Sequence, residues 1–212
     1  MTEAILYDYW RSSASYRVRI ALNLAGIPYR SVTIDLLKKD HKSAAHLQRN
    51  PQGFVPTLAI DDQLLTQSLA IIDYISETRK IDFLPLSAID RAKVRAIAHA
   101  IAMDIHPVCN LGVVAHVMEI TEQGDQARVD WMNKFIGEGL MAVEAMLQAT
   151  PGPLCFGEVP TLADICLMPQ IYNAKRWSVD LTVSNRINGV IERLQRLDAF
   201  IMAHPDRVKP SL

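Results

Sequence analysis

The spacing of apolar residues divides this 212-residue chain into two parts with different periods. Up to about residue 80, short apolar runs typical of strands alternate with segments whose apolar residues recur at the helical period. After about residue 88, only the helical period remains. We therefore predict an α/β domain over residues 1–82 and an all-α domain over residues 88–212.

Turn and capping residues in the first part predict the order strand, helix, strand, helix, strand, strand, helix (βαβαββα). The first helix ends at Gly26, a C-cap signal that is strengthened by Pro28 just beyond it. A weaker helix is expected over residues 40–50, and a third helix begins at Ser68. The order is typical of a small mixed sheet covered by helices. The predicted strands are residues 4–10, 29–35, 55–60 and 64–66.

A long helix that begins near Asp90 carries two stripes of residues. Pro107 is expected to kink or break this helix. The second stripe is polar and bears histidines, and it is typical either of a cleft wall or of a solvated face. The apolar stripe is Val94, Ile97, Ala98, Ile101 and Ile105, and the polar stripe is His99, Met103, His106 and Asn110.

Further helices are predicted towards the C-terminus. One spans residues 128–149, and another begins at a capping box formed by Thr161 and Asp164 and continues past Pro169. The tail after Pro205 has no apolar period, and we expect it to be irregular.

Composition excludes several classes of function. Lys and Arg number 22 against 23 Asp and Glu, so the net charge of −1 provides no global field for nucleic acid or an anionic membrane. Charged residues interrupt the most apolar region, so its uninterrupted apolar run is too short to span a membrane. The three cysteines are widely separated and odd in number, which argues against a disulfide framework or a metal site and favours a reducing, cytoplasmic environment.

The segment between the first strand and the first helix offers an anion site. Arg11 is followed by Ser12, Ser13 and Ser15, and hydroxyl groups together with unpaired N–H groups at a helix N-terminus bind anions. The alternative is simple N-capping, for which one serine suffices.

Two more segments carry possible binding groups. Val55-Pro56 opens a predicted strand, and a cis bond there would turn the Val55 backbone outward to pair with an extended peptide. The alternative is an ordinary loop proline with a trans bond. Gln67-Ser68 lies between a strand and a helix, where Ser68 as N-cap, with the helix end, can hold a carboxylate. Capping alone explains this serine as well.

Together these motifs resemble zeta-class glutathione transferases, the family also called maleylacetoacetate isomerases. The resemblance extends over roughly residues 4–204 and rests on four runs of sequence. The first contains the serine pair followed by Arg17-x-Arg19, although Ala14 stands where the family usually has cysteine. The runs are residues 12–22, residues 50–51 followed by 55–58, residues 67–72 and residues 173–181.

The resemblance implies a thioredoxin-like first domain, an all-helical second domain and a homodimer. It also implies glutathione as cofactor, with the tripeptide backbone at Val55 and Pro56 and its γ-glutamyl carboxylate at Gln67 and Ser68. The thiol would point at Ser12, Ser13 and Ser15. By the same resemblance, His106 and Asn110 face glutathione, and His41 and Gln52 touch its glycine end.

The implied reaction is cis–trans isomerisation of maleylacetoacetate to fumarylacetoacetate in tyrosine and phenylalanine catabolism. Arg11 and Arg176 are the candidates for binding the carboxylates of this dicarboxylic keto acid, because a guanidinium pairs bidentately with carboxylates. The alternative for either arginine is a solvated surface charge or an ion pair. The lone His106 has a structural role as its alternative reading.

Three other functions remain open. The chain can be a maleylpyruvate isomerase, although Leu111 and Gly112 provide no arginine pair for a richer carboxylate pocket. It can be a general glutathione S-transferase acting on haloacids. A non-catalytic binding protein with the same fold is the third alternative, and the retained serines, Val55-Pro56 and Gln67-Ser68 argue against it.

Overall fold

The computed structural model describes residues 3–121 and 124–210. The chain folds into two compact units, of which the second is Phe83–Gln195. The first unit runs up to Asp82 and takes up the chain again from Arg196. The C-terminal segment thus packs as part of the first unit, whereas the apolar pattern predicted it to belong to the domain over residues 88–212.

The first unit is built on a four-stranded sheet with the order β2-β1-β3-β4. β1 pairs in parallel with β2 and antiparallel with β3, and β3 pairs antiparallel with β4. The mixed, thioredoxin-like sheet predicted from the sequence is confirmed. The strands are β1 (Ala4–Asp8), β2 (Tyr29–Thr33), β3 (Thr57–Ile60) and β4 (Gln63–Thr66).

Helices on this sheet bury apolar side chains against it. They are α1 (Ser13–Leu24), α2 (Ala44–Arg49) and α3 (Ser68–Arg79), with a short 3₁₀ turn at Asp40–Lys42. Gly26 follows α1 in the left-handed region, at φ 63°, as the C-cap signal predicted. The fully buried side chains include Leu6 and Leu58 from the sheet and Ile20, Ile71 and Ile75 from the helices.

The C-terminal segment is ordered against α1. It forms α10 (Asp198–Ala203) and α11 (Pro205–Val208). The expectation of an irregular tail after Pro205 is therefore wrong for residues 206–208, which are helical. Pro205 occupies the first helical position, where its missing N–H costs nothing, and His204 caps the turn by accepting from the Asp206 N–H at 3.3 Å.

The second unit is helical, as predicted. The apolar stripe that begins at Val94 is buried along its whole length. Gly139 permits a close approach of a neighbouring helix, because a Cβ at this position would collide with the side chain of Ile105. The helices are α4 (Ala88–His99), α5 (His106–Val108), α6 (Leu111–Thr121), α7 (Gly124–Gln148), α8 (Leu162–Arg176) and α9 (Asn185–Leu194).

The chain passes Pro107 through a π-helical stretch. Residues Ala100–Ile105 are π-helical between α4 and α5, and α5 ends one residue after the proline, at Val108. The predicted break therefore occurs, but the wider turn before it accommodates the missing proline N–H. The π stretch also changes the angular period, so the polar stripe drawn at helical spacing does not follow a single α-helical face.

The predicted capping box starts α8. Asp164 accepts from the backbone N–H of Thr161 at 2.8 Å and from its hydroxyl at 2.7 Å, and it also accepts from the N–H of Cys155 at 2.9 Å. The helix continues past Pro169, as expected.

Within residues 3–121 and 124–210, no single helix has the length and apolarity to cross a membrane. One bent pair of helical segments, Ala88–Val108 with Leu111–Thr121, is long and apolar enough for a membrane span by length and composition alone.

Candidate active site

The strand register brings three candidate binding segments of the first unit to the same end of the sheet. Tyr7 of β1 is paired with Thr57, and Thr57 is paired in turn with Thr66 of β4. The end of β1, the start of β3 and the end of β4 therefore lie side by side. The segments attached to these points are the serine turn after β1, Val55-Pro56 before β3 and Gln67-Ser68 after β4.

The serine turn is held by its own backbone and by a cap. Ser12 is the N-cap of α1, and its hydroxyl accepts from the Ser15 N–H at 3.2 Å. A hydroxyl that accepts one hydrogen bond still has its proton to donate to an anion, so capping and anion binding are compatible. Ser13 is 8% exposed, and the buried Ser15 hydroxyl has no hydrogen-bond partner among the described residues.

The guanidinium of Arg11 lies within cation–π distance of the two aromatic side chains that precede it. Its guanidinium lies 5.3 Å from the Trp10 ring centroid and 6.0 Å from that of Tyr9. A cation–π contact holds the guanidinium near the rings, and a guanidinium so held can still donate to a carboxylate through its N–H groups. Arg11 is half-buried and adjoins Ser12.

The Val55-Pro56 peptide bond is cis. Neither the N–H nor the C=O of Val55 has a hydrogen-bond partner within the described part of the chain. The strand β3 begins only at Thr57, so Val55 presents a free backbone edge beside the sheet. An extended peptide can pair with such an edge.

A buried histidine fixes the carbonyl just before this edge. The Nε2 atom of His46 lies 2.9 Å from the Phe54 carbonyl oxygen, and the side-chain amide of Asn50 donates to the same oxygen at 3.0 Å. His46 is 0% exposed. Sequence reasoning did not identify His46, because a single histidine in a weakly periodic helix gives no signal. Asn50 was noticed only as part of a family motif.

The Gln67-Ser68 segment differs in one respect from its prediction. Ser68 is the first residue of α3, and Gln67 occupies the N-cap position at φ 66°, ψ 114°. The prediction of Ser68 as N-cap is therefore wrong, because the helix already begins at Ser68, directly after the positive φ of Gln67. The side-chain amide of Gln67 donates to Gln52 Oε1 at 2.8 Å, which joins Gln52 to this group.

His41 lies beside the same loop. A Cβ added to Gly53, which has φ 64°, would come to 3.0 Å from the His41 carbonyl oxygen. The turn that carries His41 is therefore packed against the residue next to Gln52. Burial, followed by the positive charge of Lys42, lowers the pKa of His41 below its ordinary value.

The remaining candidates belong to the second unit. His106 is the first residue of α5, directly after the π-helical stretch. The side-chain oxygen of Asn110 accepts from the Val113 N–H at 3.0 Å and so caps α6. Arg176 ends α8 and is exposed, with one guanidinium nitrogen 3.3 Å from Asn173 Oδ1 and its centre 5.9 Å from the Trp177 ring.

Comparison with known proteins identifies the class first. Residues 2–77 match the family model of the glutathione S-transferase N-terminal domain. The structure resembles a maleylpyruvate isomerase, described as a bacterial zeta-class glutathione S-transferase, with a TM-score of 0.95 and 38% identity over 98% of this chain and 100% of the other. The fold is therefore that of a glutathione transferase.

Whole-chain similarity narrows the class to a family. The chain is 60% identical to the maleylacetoacetate isomerase of Rhizobium meliloti over 98% of its length and 99% of the relative. It is 36% identical, with a TM-score of 0.94, to the maleylacetoacetate isomerase of Methylobacterium extorquens solved with bound malonate and glutathione, covering 98% of this chain and 100% of that one. The chain belongs to the maleylacetoacetate isomerase family of zeta-class glutathione transferases.

Proposed function

We propose that this chain is a glutathione-dependent cis–trans isomerase that converts maleylacetoacetate to fumarylacetoacetate. One observation carries the proposal. The free backbone edge of Val55 lies at the same end of the sheet as the serine turn and the Gln67-Ser68 helix start. A tripeptide with a central thiol and a carboxylate at its γ-glutamyl end needs donors in this arrangement.

The described residues fit glutathione. The N–H and C=O of Val55 can form the two antiparallel hydrogen bonds that an extended peptide offers. The α3 N-terminus, with Ser68 in its first turn, suits a carboxylate, since the first N–H groups of a helix have no partner within it. The residues proposed to contact glutathione are Val55, Pro56, Gln67, Ser68, His106, Asn110, His41 and Gln52.

When bound, glutathione would supply a thiolate nucleophile for reversible addition to the cis double bond, which becomes a freely rotating single bond until the thiolate is expelled. The chain favours the ionised sulfur through hydrogen bonds donated by the hydroxyls of Ser12 and Ser13, with Ser15 in the same turn. A free thiol with a pKa near 8.5 is only a few per cent ionised at neutral pH. Lowering that pKa by one unit needs about 1.4 kcal/mol, within the range of one charge-assisted hydrogen bond and a helix terminus.

Arginines are proposed to bind the carboxylates of the substrate and the negative charge that develops during the reaction. Arg11 is suited to this role because its guanidinium lies beside the serine turn and is held near the Trp10 ring by a cation–π contact. Arg176 is suited because its exposed guanidinium is oriented at the end of α8 by Asn173 and Trp177. Planar bidentate donors match carboxylates better than a point charge does.

The protein itself contributes no nucleophile in this proposal. Ala14 stands in the serine turn where the family usually has cysteine, so no thiol of the chain is available there. All three cysteines are buried. Isomerisation is unaffected by their burial, whereas transfer reactions that require a protein thiol are not expected.

The test is a spectrophotometric assay with maleylacetoacetate and maleylpyruvate side by side, each with and without glutathione. We expect turnover only with glutathione and a higher kcat/KM for maleylacetoacetate. Preference for maleylpyruvate would identify the shorter acid as the substrate. If the protein binds glutathione but turns over neither acid, the isomerase proposal is wrong. A general transferase activity would then be assayed with a haloacid.

We further propose that the protein acts as a homodimer in the cytoplasm. Three buried free thiols fit a reducing compartment, and the zeta-class resemblance supports the dimer. Sedimentation equilibrium tests the dimer, since a monomer mass near 23.7 kDa at micromolar concentration would contradict it.

A further inference from the structure

A buried arginine connects the helix of the serine turn with the helix of the Gln67-Ser68 segment. Arg17 in α1 is 2% exposed, and one of its terminal nitrogens donates to Ser68 Oγ at 3.3 Å. Ser68 is the first residue of α3 and is 6% exposed. Two residues separated by 51 positions in the sequence thus meet inside the first unit.

This contact fixes what the Ser68 hydroxyl can do. A serine hydroxyl has one proton to donate and two lone pairs that accept, whereas a guanidinium only donates. Ser68 Oγ must therefore accept from Arg17, and its own proton is left for an acceptor elsewhere. At a helix start, where the first backbone N–H groups have no partner within the helix, a carboxylate is the acceptor that matches.

Arg17 also places a positive charge close to this position. Its side chain is buried, so water screens the charge only weakly. A carboxylate held by Ser68 would be separated from the guanidinium by the Ser68 hydroxyl alone. Arg19, by contrast, donates to Asp8, Trp10 and Ala203 and takes no part at Ser68.

We infer that Arg17 is a positioning residue for glutathione. Its hydrogen bond to Ser68 orients the hydroxyl that binds the γ-glutamyl carboxylate, and its positive charge stabilises that carboxylate. The inference rests on the proposed function and deepens it. Arg17 touches neither the thiol nor the substrate in this assignment, so it acts on glutathione affinity and not on the chemical step.

The first experiment separates affinity from turnover. Arg17→Met should raise the KM for glutathione by about tenfold or more, the effect of losing a charge-assisted contact. Turnover at saturating glutathione should stay within about twofold. Arg30→Met is the matched control, because Arg30 is exposed on β2 and pairs with Glu3 at the surface. Its KM for glutathione should equal that of the wild type.

The second experiment asks whether the effect passes through Ser68 and the carboxylate. Binding is measured by calorimetry for glutathione and for the analogue in which hydrogen replaces the α-carboxylate of the γ-glutamyl residue. Arg17→Met should lower the affinity for glutathione and leave the affinity for the analogue unchanged. In a Ser68→Ala background, the Arg17→Met effect on glutathione should shrink.

Arg17→Lys keeps the buried charge and serves if Arg17→Met does not fold, as judged by circular dichroism. It should show the same discrimination between glutathione and the analogue, with a smaller loss. A folded Arg17 variant that binds glutathione as the wild type does, or that loses both ligands equally, overturns the inference while the isomerase proposal stands. A wild-type protein that takes up no glutathione overturns both.

Discussion

Arg19 and Asp8 form a buried ion pair between α1 and the end of β1. Arg19 Nη1 lies 2.5 Å from Asp8 Oδ2, and the two side chains are 0% and 4% exposed. The same guanidinium donates to the carbonyls of Trp10 at 2.8 Å and Ala203 at 3.0 Å. One side chain thus joins the sheet, the serine turn and the C-terminal helix α10.

Replacing Arg19 should be strongly destabilising. Arg19→Met leaves the Asp8 carboxylate buried without its charged partner, for which the expected loss is about 3–5 kcal/mol of unfolding free energy. Urea unfolding measures it. The exposed Arg30 pairs with Glu3 at the surface, and Arg30→Met should cost less than about 1 kcal/mol. Equal losses in the two variants would contradict the role assigned to the buried pair.

Ser12 is expected to matter for both stability and chemistry. Ser12→Ala removes the cap of α1, at about 1 kcal/mol, and the hydroxyl proposed to donate to the glutathione sulfur. Because the thiol pKa then returns towards its free value, kcat/KM at pH 7 should fall by about tenfold. The rising limb of the pH profile should also move to higher pH.

The control for Ser12 is another capping serine. Ser87 caps α4 in the second unit by accepting from the Asp90 N–H at 3.2 Å. Ser87→Ala should lose similar stability without moving the pH profile. A pH profile that is unchanged in Ser12→Ala would show that Ser12 is only a helix cap.

Arg176 should serve turnover and not glutathione binding. Arg176→Ala removes a proposed carboxylate anchor, so kcat/KM for maleylacetoacetate should fall by about a hundredfold. Glutathione affinity, measured by calorimetry, should remain nearly unchanged. Arg193, which is exposed and bonded to Gly189 of its own helix, gives the matched variant Arg193→Ala with normal kinetics. Parallel loss of turnover and glutathione affinity in Arg176→Ala would refute the assignment.

The cysteines of the folded protein should resist thiol reagents. Burial raises the pKa of Cys109 to about 11 and raises that of Cys155 well above its ordinary value. Since the reactive thiolate forms only as the pH rises through these values, glutathione-free protein at pH 8 should react slowly with a chromogenic disulfide. All three thiols should react in guanidinium chloride. Fast reaction of any thiol in the native state would contradict this prediction.

The sequence predicted the sheet because its strands are bounded by clear turn residues. Gly26 and the Thr161–Asp164 capping box lie where their local chemistry requires. Local rules failed where tertiary structure decides. The π-helical turn before Pro107 has no sequence pattern of its own, and the short helix after His204 is too small to show a period.

Similar limits apply to the candidate site. Ser12 at the start of α1 could be found from the sequence, because capping residues occupy fixed positions relative to a helix. Ser68 was found by the same rule, but it is the first residue of α3 and not its cap. The side chains that hold the site from beneath could not be found from the sequence. His46 meets Phe54, and Arg17 meets Ser68 across 51 residues, only after the chain has folded. Such contacts leave no periodic signal.

Calorimetric titration of the pure protein with glutathione tests the central claim most directly. We predict saturable binding of one tripeptide per chain, with a dissociation constant in the millimolar range or lower. The reason is that the Val55 backbone and the N-terminus of α3 offer hydrogen-bonding groups to an extended peptide and its carboxylate. Absence of any binding heat at millimolar glutathione, with the protein folded, would contradict it.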